Sequence, residues 1–181
     1  VIFKTWLQEV QGIAKRVDVG ELERLCGILQ HVRADHGRVF VCGVGGSAAN
    51  ASHCVNDLRM RAKLDAYAPT DNVAELTARL NDEPDGWVQL FTRWLECARL
   101  GEPDAVLILS TSGETLPLVA AAQYAFEHRA HVLAILGRHG STVAKYARVS
   151  VVVPGESPHR VGHAEAFQAV LWHAIVEELA A

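Results

Sequence analysis

The sequence has no run of lysine or arginine, no C-x-x-C pair and no apolar stretch long enough to cross a bilayer. Its 17 Lys and Arg against 21 Asp and Glu leave a formal net charge of −4. The basic surface that nucleic acid or an anionic membrane demands is therefore missing. Four cysteines, Cys26, Cys42, Cys54 and Cys97, each sit among apolar neighbours. That placement predicts buried, reduced thiols rather than disulfides or a zinc knuckle. No secretory leader is visible, so a cytoplasmic location is expected. Internal repeats, low-complexity tracts and linkers are also lacking, and the 181 residues are expected to form one domain, 1–181.

What is present is a regular alternation. Phe3, Trp6, Leu7 and Val10 share one helical face, and Leu22, Leu25, Cys26, Leu29 and Val32 share another. These predict helices over residues 1–36, packed on the core or on a neighbouring subunit. "RVFVCG" then reads as a buried strand, followed by a helix from Ser47 to Lys63 and a loop. "TDNVAELTARL" and "DGWVQLFTRWLECA" read as two helices, the second with Trp87, Leu90, Phe91, Trp94 and Leu95 on its apolar face. "DAVLILS", "AHVLAIL" and "VSVVVPG" are strands, separated by the helices "ETLPLVAAAQYAFEH" and "GSTVAKYA". "HAEAFQAVLWHAIVEEL" is the closing helix. Continuously apolar strands alternating with helices predict an α/β fold, a three-layer sandwich around a parallel sheet. Ligands of such sheets bind beyond the carboxyl ends of the strands.

Two strand ends carry unusual residues. "GVGGS", Gly43 to Ser47, follows a strand and opens a helix, so backbone N–H groups and the helix dipole favour an anion there. It is neither a complete G-x-G-x-x-G, since the third position is Ala48, nor a P-loop. "STSGET" places the hydroxyls of Ser110, Thr111, Ser112 and Thr115 around Gly113 at a second strand end. Hydroxyls donate to phosphate oxygens without adding charge. A helix N-cap explains one or two of the four. His53 and Asp57 lie four apart on the first of these helices. Glu165 and His173 lie eight apart on the last, about 80° around its axis and about 12 Å along it. Together the four could ligate zinc or a related divalent ion. Taken singly, a hydrogen-bonded structural histidine or a solvated glutamate explains each.

In this order, "GVGGSAANASHCVND", "TDNVAELTARLNDE", "STSGET" and "HAEAFQAVLWH" resemble the sedoheptulose 7-phosphate isomerases (phosphoheptose isomerases) of the SIS sugar-isomerase superfamily. The resemblance implies a homotetramer with active sites between subunits. It implies a sugar phosphate held by Gly45, Gly46, Ser47, Asp82, Ser110, Thr111, Ser112, Thr115 and Glu165. It implies zinc on His53, Asp57, Glu165 and His173, with Asp57 and His173 as acid/base groups for aldose–ketose isomerisation through an enediol. The chain departs from the family at several positions. Asp57 stands for Glu, Glu165 for Gln and Val44 for a sugar-binding Asn, while Gly162 and His163 replace an Asp-Arg pair. "KLDAYAPT" lacks the family's clear apolar strand. His159, Arg160 and His163 are either replacement sugar contacts or a surface loop. The resemblance also implies an alternative, since some relatives are non-catalytic tetramers that bind a sugar phosphate as regulators or bind the replication initiator. Those lack the complete ionisable set, and here His173 is retained.

Overall fold

The structure is a computed structural model describing residues 2–155 and 158–181. Two helices, α1 (Ile2–Ala14) and α2 (Val19–Ala34), lead into β1 (Arg38–Gly43) and α3 (Gly46–Met60). Next come β2 (Asp65–Tyr67), a 3-10 turn (Pro69–Asp71), α4 (Val73–Asp82) and α5 (Leu90–Cys97). The remainder is β3 (Ala105–Ser110), α6 (Leu116–Glu127), β4 (His131–Leu136), α7 (Thr142–Tyr146), β5 (Val149–Val152) and α8 (Arg160–Ala180). All strand pairings are parallel, in the order β2-β1-β3-β4-β5.

Strand side chains alternate between two cores, one on each face of the sheet. Val39, Val41, Leu107, Leu109, Leu133 and Ile135 meet the α2, α3 and α8 side, together with Ile13 of α1. Phe40, Cys42, Val106, Ile108, Val132 and Ala134 meet α5, α6 and α7. Because both faces are covered, the strands read as unbroken apolar runs. The result is the expected three-layer α/β/α sandwich.

Local readings differ from the structure in six places. A short edge strand, β2, occupies the segment read as a loop. Only Ala66 of its three residues is buried, so no apolar run marks it. The helix expected from Asp85 starts at Leu90, and Trp87 stands outside it, exposed. α3 ends at Met60, three residues early, and α8 starts at Arg160, three residues ahead of the predicted His163. Cys97 is exposed, while the other three cysteines are buried and all four are free. Burial pushes the Cys26 thiol up to about 11 and those of Cys42 and Cys54 higher still, which keeps them protonated and inert. Finally, Phe3 and Leu7 on the apolar face of α1 point outward, and Ile13 is that helix's buried residue.

At the amino ends of the strands one ion pair ties β1 to β3. Asp104 is almost fully buried and accepts from the Arg38 backbone N–H (2.9 Å), from Arg38 Nε (3.1 Å) and Nη2 (2.7 Å), and from the Gly101 N–H (3.0 Å). Removing one partner strands the other. Asp104→Ala is therefore expected to cost about 3–5 kcal/mol. For a chain of this size that lowers the melting temperature by roughly 6–20 °C. A calorimetric scan of both proteins checks it.

Candidate active site

The residues flagged at the strand ends do gather at the carboxyl edge of the sheet. Gly45 is the N-cap of α3, with φ +64°, a conformation that glycine adopts without strain. It caps with no side chain, so the first-turn N–H groups of α3 face the corner. Ser47 is buried in that first turn. Glu165 of α8 closes over the corner, since a Cβ on Gly46 would lie 2.6–2.7 Å from its carboxyl atoms. A carboxylate thus already sits at the positive end of α3.

The Ser/Thr loop lies beside it. Gly137, after β4, packs against the Thr111 carbonyl, and a Cβ there would come within 3.0 Å of the Ala164 side chain, next to Glu165. Within the loop Ser110 Oγ accepts from the Gly113 N–H (2.9 Å) and Ser112 Oγ from the Glu114 N–H (3.1 Å). Two of the four hydroxyls therefore brace the turn. Thr115 is the N-cap of α6 and makes no side-chain capping bond. Glu114 clasps the loop from outside. It accepts from the Thr142 hydroxyl (2.6 Å), the Thr142 N–H (3.1 Å) and Arg138 Nη2 (2.5 Å), and Arg138 Nε donates to the Ser112 carbonyl (2.8 Å). These donors, the Thr142 hydroxyl foremost, hold the Glu114 carboxyl below its ordinary pKa. Sequence reasoning passed over Glu114, although its acidic side chain inside a loop of hydroxyls was a visible signal.

Two helix turns further along α3 is a second cluster. Asp57 Oδ2 stands 4.0 Å from His53 Nε2 and 3.8 Å from His173 Nε2. His173 Nδ1 donates to the Ala169 carbonyl (2.7 Å), so the lone pair of the neutral ring is on Nε2, facing Asp57. Asp57 Oδ1 accepts from the Asn56 amide (2.9 Å). The His53 ring meets Trp172 and His173 edge-on, with centroids 4.6 and 5.2 Å away. Asp57 is 15% exposed, against 58% for His53 and 43% for His173, so the carboxylate is the shielded member of an open cluster. These three donor atoms form a group able to hold a metal ion.

The four expected ligands resolve as three. Glu165 is outside this group, because its position on α8 puts it about 12 Å up the axis, at Gly46. The short reach of Asp57 does not remove it from the cluster, which forms around it. Val44 is partly buried and packs against the core on the α5–α7 side. Asp82 ends α4, exposed, and accepts from the neighbouring Asn81 amide. His159 and His163 are no surface loop: both turn to Glu9 of α1.

Residues 5–137 match the SIS domain family. The phosphoheptose isomerase of Thiobacillus denitrificans is 32% identical over 164 residues, 86% of this chain and 79% of its own. The chain belongs to the phosphoheptose isomerase family of SIS-domain proteins. Other comparisons agree. The phosphoheptose isomerase of Chlorobium phaeobacteroides is 39% identical over 126 residues, 65% of this chain and 54% of its own length. The structure of phosphoheptose isomerase GmhA from Neisseria gonorrhoeae superposes with a TM-score of 0.85 at 27% identity, over 98% of this chain and 94% of that one. The Ser/Thr loop and the glycine corner follow the adjacent strands β3 and β1.

Gly113 has φ +66°, and a Cβ there would overlap the buried Ser141 side chain. Gly113→Ala is expected to displace the loop and weaken sugar-phosphate binding at least tenfold while the α/β fold is kept. Calorimetric titration with circular dichroism checks both halves; unchanged affinity contradicts the assignment of the loop.

Proposed function

We propose that this protein is a sugar-phosphate isomerase that interconverts sedoheptulose 7-phosphate and an aldose heptose 7-phosphate, as the names of its relatives suggest. The observation that carries the reading is Asp57 Oδ2 held between two imidazoles, shielded from water, on helices that also carry the glycine corner and Glu165.

The hydroxyls of Thr111 and Thr115, with the Leu116 N–H that opens α6, take the phosphate; Pro117 has no N–H, and those of Leu118 and Val119 donate to the Thr115 carbonyl. That leaves the α3 corner for the sugar. With the Glu165 carboxylate already there, it suits hydroxyl groups better than a second anion. Glu165 accepts from those hydroxyls and Ser47 adds to them. Asp57 removes a proton from C1 of the ketose, giving the 1,2-enediol, and returns it to C2 to give the aldose. His173 moves the proton between O1 and O2. A positioned acid or base contributes about 10²–10⁴-fold. The His53, Asp57 and His173 donors fit zinc or a similar borderline divalent ion, two imidazoles and one carboxylate with room for exogenous ligands. Bound there, zinc would occupy His173 Nε2 and polarise the substrate oxygens in place of that imidazole, leaving the other carboxylate oxygen of Asp57 as the base.

Ser47 and His53 are six residues apart on α3, hence about 9 Å along it and about 240° around it. Ser47 is buried and His53 exposed. One face of one subunit does not present both to the same sugar. This supports a homotetramer whose sites join the hydroxyl loop of one subunit to the ionisable cluster of another, each subunit a single SIS domain with residues 1–36 as a helical extension. Among the described residues no helix is long and apolar enough to cross a membrane, and we place the protein in the cytoplasm. A regulatory, non-catalytic role is the alternative. The retained His173, facing Asp57, favours catalysis.

Asp57→Asn and His173→Ala are each expected to lower turnover of sedoheptulose 7-phosphate about 10²–10⁴-fold with substrate affinity and oligomeric size preserved. Coupled measurement of rate, binding and sedimentation checks this. Turnover within threefold of the unaltered protein in both variants would contradict the assignment.

A further inference from the structure

A second group of ligand-type atoms lies on the other end of α8. Glu9 Oε2 is 2.7 Å from His163 Nε2 and 3.0 Å from His159 Nδ1. All three donor atoms fall within 4.8 Å of one another. Glu9 comes from α1, while the two histidines are four apart at the start of α8 and so share one side of the helix. His163 is 1% exposed, and the ring of Trp6 lies against it at 3.9 Å between centroids. Gly162 makes room for that ring, because a Cβ there would stand 2.8 Å from Trp6. His163 Nδ1 is buried without a partner, so Nε2 is the ring's one anchoring atom. Glu9 and His159 are partly exposed, which leaves a side of the group open to solvent.

We propose that Glu9, His159 and His163 form a divalent-cation site of the zinc class, separate from the Asp57 cluster, that clamps the N-terminal helix onto α8. Two neutral imidazoles and a carboxylate, with water in the open position, are a common zinc donor set. In the metal-free protein both rings donate N–H to the one carboxylate oxygen. On metal uptake each ring shifts its proton to the other nitrogen, and the freed lone pair turns to the ion; at His163 that N–H falls on the buried, unpartnered Nδ1, a cost the metal bonds must exceed. Tetrahedral ligands at zinc distances are about 3.3 Å apart, so the two Glu9–histidine distances need open by only about 0.3–0.6 Å, and the histidine donors lie within 4.8 Å of each other. The side chain of Glu9, one-third exposed, has the freedom to do so. Two departures from the family pattern, Gly162 and His163, acquire a shared purpose: one admits Trp6, the other supplies the buried ligand.

The test uses the full chain, stripped of metal by chelator and dialysed against cobalt(II), whose visible absorption reports four-coordination. His53→Ala first removes a ligand of the Asp57 cluster. In that background one tightly bound cobalt per chain is expected to remain, with a raised melting temperature. Adding His159→Ala, or Glu9→Gln, is expected to lower cobalt affinity at least tenfold and abolish the thermal gain. Both changes fall on partly exposed side chains, and a far-UV spectrum confirms folding; should one variant unfold, the other decides. Absence of cobalt from the His53→Ala protein, or equal affinity with and without the second substitution, would overturn the proposal. Because the readout is metal binding and not turnover, it can fail while the isomerase reading stands, and the reverse.

Discussion

The contact between α3 and α8 decides where the chemistry can be. Both helices lie on the same face of the sheet, and Asn50 of α3 donates to the Glu165 carbonyl (3.0 Å) and to Gln168 Oε1 (3.2 Å) of α8. Gln168 is fully buried, so this polar staple is shielded from water and held by the surrounding apolar packing. Trp172, also fully buried, wedges one turn further along and supports the His53 ring. Fixing the two helices at these points sets the register that faces Asp57 with His173 at one level and Gly46 with Glu165 at another. Neither pair is close in sequence. Each exists because the helices are parallel-packed at a fixed offset.

That register separates two tasks. In the proposed isomerase the loops at the carboxyl edge of the sheet are assigned recognition: hydroxyls and N–H groups for an anion, a carboxylate for sugar hydroxyls. In the same proposal the cluster down the helices is assigned proton transfer. The Glu114 clasp, with Arg138 and Thr142, stiffens the recognition loop before any ligand arrives, which lowers the ordering cost of binding. The departures from the family pattern act on both tasks. Val44 gives up a hydrogen bond for core packing. Asp57 keeps its contacts because His53 and His173 converge on the shorter side chain.

Much of this was legible in the sequence where side-chain pattern and structure obey the same rule. Doubly covered strands such as Val39–Cys42 and Val106–Leu109 must be apolar throughout, so they announce themselves. His53 and Asp57 share a helical face, so their pairing is local and visible. Legibility ended where partners are distant or elements are marginal. β2 buries a single alanine and carries no signal. Trp87 fits a helical period but precedes the helix. Glu165 was placed on the right helix, yet its height along the axis assigned it to Gly46 instead of the metal-type cluster. Glu9 reads as a solvated charge on an amphipathic helix, and only folding brings it to histidines 150 and 154 residues away.

The most direct test is carbon-bound proton exchange by the unaltered protein. Sedoheptulose 7-phosphate is incubated in deuterated water with zinc, and the products are followed by NMR. A proton-transfer isomerase is expected to release aldose heptose 7-phosphate carrying deuterium at C2 and to return ketose labelled at C1. Sugar recovered without aldose and without deuterium, at protein concentrations equal to substrate, would contradict it.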